Sequence, residues 1–162
     1  MALGTTSRTV KKMYSNLQGE VPLDIDATVT VAASAAQGTS TYMSFITDPT
    51  QPSVTSTSLT VPPDEYWLVY DVYTPVQTPN IDGYVTFRVN SKDQNITFGP
   101  LSATYKNIFG YAELSASIMA DPNSTVAARF INSVANGTAA VTDNIHVRIK
   151  RVPVGYTGKI VV

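Results

Sequence analysis

Turn-forming clusters recur roughly every ten residues along this 162-residue chain: TDPTQP at 47–52, VPPDE at 61–65, TPNIDG at 78–83, NSKDQN at 90–95, ADPNS at 120–124 and ANGT at 135–138. Pro, Gly, Asn and Asp in such clusters preset turn dihedrals and punctuate regular structure. Between them lie runs rich in β-branched and aromatic residues, at approximately 25–33, 40–47, 54–61, 65–74, 83–89, 95–105, 111–119, 125–132, 139–152 and 158–162. This rhythm predicts an all-β fold, a two-sheet antiparallel β-sandwich of eight or more strands. No internal repeat or linker divides the chain, so a single sandwich domain over 23–162 is expected, preceded by an arm at 1–22.

Two runs alternate cleanly and so have one wet face. DIDATVTVA turns Ile25, Ala27, Val29 and Val31 inward, and NIHVRIK turns Ile145, Val147 and Ile149 inward. The second run puts His146, Arg148 and Lys150 in an outward row. That row is either an edge strand guarded by charge or a basic stripe facing a partner, and the guarded edge is the preferred reading. The run EYWLVYDVY at 65–73 is apolar or aromatic on both faces. One face must fill the sandwich, and the other, with Trp67, Val69 and Tyr73, is expected against the arm or a neighbouring subunit. A central strand covered by the protein's own loops is the alternative.

Charged residues are only 14% of the chain, against about 25% in ordinary domains. Ser and Thr supply 35 positions, while 43% hydrophobic content and net charge −1 exclude disorder. So uncharged an exterior suggests burial against other subunits. The charges are also segregated. Residues 1–19 carry Arg8, Lys11 and Lys12, the last nineteen carry Arg148, Lys150, Arg151 and Lys159, and all 12 acids lie between. The basic ends are candidates for one shared contact with something anionic, or are merely solvated.

One helical pattern stands out, SRTVKKMYSNLQG at 7–19, with Val10, Met13, Tyr14 and Leu17 on one stripe. A helix this short needs a surface to lie on. That surface is its own domain, a neighbouring subunit or a membrane.

Chemistry is sparse. The chain has no Cys and one His, and it lacks nucleophile-elbow, phosphate-loop and HExxH motifs. No catalytic residue, cofactor or metal is expected. Asp24 and Asp26 in DID form the only local carboxylate pair. Three sequons occur, at Asn95, Asn123 and Asn136, and the last two sit in turns where a glycan could be attached.

The segments LTVPPDEYWLVYDVYTP, DGYVTFRVN and ADPNSTVAARFINSVANGTAAVTDNIHVRIKRV, read together, resemble strands of virion β-sandwiches. Residues 24–152 are similar in length and rhythm to single jelly-roll capsid proteins of tailless icosahedral double-stranded DNA viruses, archaeal ones among them. The resemblance implies a capsid subunit of jelly-roll type, made in the host cytoplasm and resident in the virion, that assembles with copies of itself or related subunits. It also implies an N-terminal arm that ties neighbours together. The arm's three basic residues are too few to favour direct nucleic-acid binding and fit lattice or internal-membrane contact better. A carbohydrate-binding sandwich using Tyr66, Trp67, Tyr70 and Tyr73 as stacking platforms is the rival expectation.

Overall fold

The structure, a computed structural model, describes residues 21–75, 80–101 and 117–156. Arg8, Val10, Lys11, Lys12, Met13, Tyr14, Leu17 and Lys159 lie outside the described residues, as does the expected helix at 7–19. Eleven strands run through what is described: β1 (Val21–Val31), β2 (Ser40–Tyr42), β3 (Ser44–Ile46), β4 (Thr55–Ser56), β5 (Leu59–Thr60), β6 (Glu65–Tyr73), β7 (Gly83–Val89), β8 (Lys92–Leu101), β9 (Ile118–Ala120), β10 (Thr125–Asn132) and β11 (Val141–Pro153). No helix occurs among the described residues.

The strands form two antiparallel sheets. One has the order β4-β3-β1-β11-β6-β9, and the other β2-β10-β7-β8 with β5 paired to β10. The apolar faces supply a single core in which Phe45, Phe87, Phe98 and Phe130 are each at most 1% exposed. Phe87 and Phe98 meet edge to face, with centroids 5.3 Å apart, a favoured geometry for aromatic rings. The inward residues expected of β1 and β11 are all buried. The two alternating runs are partners, paired residue for residue from Val21↔Arg151 to Val31↔Val141.

Turn chemistry explains the local connections. Val89 pairs with Lys92 across a two-residue loop. Asn90 (φ 50°) and Ser91 (φ 64°) both take positive φ, as the type I′ hairpin turn demands. The Asn90 side chain then accepts a bond from the Thr125 N–H at 2.9 Å, tying this hairpin to the start of β10.

β6 buries apolar residues on both faces for a reason that periodicity does not reveal. Its pairing with β11 slips between Arg148↔Asp71 and Ile149↔Val69, leaving Tyr70 as the extra residue of a β-bulge. A bulge shifts the side-chain alternation by one residue. Trp67, Val69 and Val72 all join the core, while Tyr66, Tyr70 and Tyr73 are half-buried. The expected outward positions of Trp67 and Val69 are therefore corrected. Val69 is fully buried and Trp67 is 7% exposed, so both side chains belong to the core.

Gly83, opposite Asn132 at the start of β7, occupies a place with no room for a side chain. A Cβ there would lie 2.1 Å from the Ile131 carbonyl oxygen and 2.5 Å from the Phe130 ring. Gly83→Ala should lower stability by about 1 to 3 kcal/mol, the usual cost of overpacking. Urea unfolding of the variant measures it, and an unchanged midpoint would contradict the packing.

Candidate interaction surface

The outer face of the six-stranded sheet collects the residues that the sequence singles out. β11 lies between β1 and β6, bonded on both edges, so it is not a guarded edge strand. Two of its outward residues, His146 and Arg148, meet carboxylates across the strand gap instead. Antiparallel register sets His146 opposite Asp26 and Arg148 opposite Asp24, close enough for the facing side chains to interact. His146 Nδ1 lies 2.5 Å from Asp26 Oδ1, and Arg148 Nε lies 3.6 Å from Asp24 Oδ1. From the other side, Arg148 Nη1 donates to Asp71 Oδ2 at 3.3 Å. The DID pair is thus half of a cross-strand charge ladder.

Aromatic rings complete the ladder. Tyr73 stacks with His146 at 5.0 Å, carries the Arg148 guanidinium 4.3 Å from its centroid, and donates its hydroxyl to Asp24 at 3.3 Å. Lys150 Nζ sits 5.7 Å from the Tyr70 centroid. Each is a cation held over a ring face. Burial lifts the Asp71 carboxyl above the usual carboxylate range, against the pull of the Val72 N–H and of Arg148. Burial likewise raises Tyr70.

Arg151 serves a different purpose. Glu65 is 3% exposed. Arg151 grips it with two donors, Nε to Oε2 at 2.8 Å and Nη2 to Oε1. Trp67 Nε1 donates to the same Oε2 at 3.0 Å. The Arg151 bond, assisted by Trp67, holds the Glu65 carboxyl below its ordinary range although burial opposes this. A buried carboxylate needs such partners to stay ionised.

These contacts change two expectations. Arg148 and Arg151 of the basic C-terminal run are engaged within the chain by acids of β1 and β6. Of the expected sugar platforms, Tyr70 and Tyr73 already hold cations and Trp67 is core, while Tyr66 is half-buried.

A second feature lies at the edge of β1. β3 pairs with β1 only at Ala27 and Thr28, and no other described strand flanks Val21–Asp26 on that side. Beside this half-edge is a groove of about 260 Å³, lined by Leu23, Ile25, Ile46, Leu59 and Trp67, with Asp24, Asp26 and Thr47 also contributing. Nothing in the sequence pattern marks it, since it arises from how far β3 extends along β1. No protein-family model matches the chain, and no curated protein sequence matches it.

Proposed function

We propose that this protein is a self-assembling virion structural protein of jelly-roll type, a capsid subunit working through its surfaces and an N-terminal arm. The observation that carries the reading is the nesting of strand pairs. With β3, β4 and β5 set aside, first pairs with last (β1·β11), second with second-last (β2·β10), then β6·β9, and innermost β7·β8. This is the pattern of one long antiparallel ribbon rolled into a sandwich, and it supports the resemblance drawn from the sequence. Fold alone does not fix function. The additional support is that all four described arginines are paired with acids of the chain, while exposed apolar groups such as Met119, Val54 and Tyr42 remain for neighbours.

Subunit contact in this reading falls to Val10, Met13, Tyr14 and Leu17 of the arm, with the half-edge of β1 that no described strand flanks as one place for contact. Arg8, Lys11 and Lys12 supply the basic contact to an acidic neighbour or an internal membrane. Because β1 already begins at Val21, two residues earlier than the expected arm boundary, the test deletes 1–20 only, and that chain should melt as a folded sandwich yet lose association. Light scattering and flotation with anionic liposomes, run beside the full chain, measure this. Normal assembly without the segment would remove the arm from the account.

A further inference from the structure

We propose that Asn136–Gly137 is a deamidation site locked by the fold, and that its modification releases the paired loops at one end of the sandwich. Asn followed by Gly is the dipeptide in which backbone attack on the side chain is least hindered, because Gly presents no Cβ and is conformationally permissive. The reaction needs no added reagent but water. Gly137 N loses its proton and attacks Asn136 Cγ, ammonia leaves with the Cγ–Nδ2 bond, and water opens the resulting succinimide to an aspartyl or isoaspartyl residue.

The native hydrogen bonds occupy both the leaving group and the attacking N–H. Asn136 Nδ2, the leaving group, donates to the Ala32 carbonyl at 2.7 Å, the Ala139 carbonyl at 3.0 Å and the Val31 carbonyl at 3.3 Å. The attacking group is engaged as well, because the Gly137 N–H, whose proton must be lost, donates to Asn136 Oδ1 at 2.9 Å. Two backbone bonds fasten the same loops, Asn136 N to the Ala35 carbonyl at 2.8 Å and Ser34 N to the Gly137 carbonyl at 2.6 Å. One carboxamide therefore joins the loop after β1 to the loop before β11. The same bonds answer the sequon: attachment of a glycan would consume an Nδ2 that is already committed to three carbonyls.

Deamidation would reverse the sign of the contact. A carboxylate oxygen in place of Nδ2 faces three carbonyl oxygens, acceptor against acceptor and with added charge.

The test incubates the purified full chain in mildly alkaline buffer with and without denaturing urea, and follows Asn136 by peptide mapping and mass spectrometry. Native Asn136 should convert at least about tenfold more slowly than in urea, a factor corresponding to about 1.4 kcal/mol of opening free energy. Gly137→Ala, at a position where an added Cβ meets nothing within 4 Å, should keep the native fold and slow conversion in urea. Asn136→Asp should melt below the unaltered chain and show faster amide exchange at Ser34. If that variant does not fold, the comparison with and without urea on the unaltered chain decides alone. Equal rates in both conditions, or an Asn136→Asp chain that melts with the parent, would overturn the proposal.

Discussion

Trp67→Ala should lower the unfolding free energy by about 3 to 5 kcal/mol, the usual cost of truncating a large buried aromatic. Two losses combine in it. The ring leaves a cavity in the core it shares with Val69 and Val72. The Nε1 donor that helps hold Glu65 also disappears. Trp67→Phe separates them, because it keeps most of the apolar volume and removes the charge-assisted bond, worth about 1.5 to 3 kcal/mol. Denaturant unfolding of both variants reads the difference. A Trp67→Ala chain with an unchanged midpoint would place this ring outside the core and restore its expected role at a subunit contact.

The second large effect is expected at Glu65. Glu65→Ala leaves the Arg151 guanidinium beside Trp67 without its carboxylate. Breaking a buried pair by removing one partner costs about 3 to 5 kcal/mol. Because the Arg151 side chain is 33% exposed, it can turn partly to water, and the lower end of that range is expected. The pH dependence has a definite sign. A carboxyl whose folded pKa lies below its unfolded value, about 4.3 for Glu, contributes stability that is present above that value. The contribution is lost as pH falls through the folded pKa. The unaltered chain should therefore lose stability below about pH 4.3, and Glu65→Gln should remove that part of the loss. Asp71 works the other way. Its raised folded pKa means that acidification relieves a cost, so Asp71→Asn should steepen the acid loss of the remaining chain. If Glu65→Gln reproduces the parent's acid profile, the Arg151 pairing does not stabilise the fold.

Much of the sandwich was legible because turn residues and period-two alternation are local. β1 and β11 each have one wet face, and their inward residues read directly from the sequence. β6 misled because a bulge at Tyr70 breaks the period, and nothing in EYWLVYDVY announces which residue will be the extra one. The place of β11 was misread for a different reason. His146 and Arg148 look like the guards of an edge when seen alone, and their partners Asp26 and Asp24 are about 120 residues away in the chain. Charge segregation along the sequence says nothing about pairing across a sheet once β1 and β11 lie side by side. The carboxamide clamp at Asn136 was equally hidden, since an Asn-Gly turn and a sequon give no hint of three carbonyls converging on Nδ2. The groove beside β1 depends on where β3 stops, which no local pattern sets.

The central claim is assembly, and sedimentation of the full-length chain across concentration and salt, with electron microscopy of the heaviest fraction, tests it most directly. The account predicts large, closed species whose population grows with protein concentration. A folded chain that sediments as a monomer at every concentration and salt would contradict it.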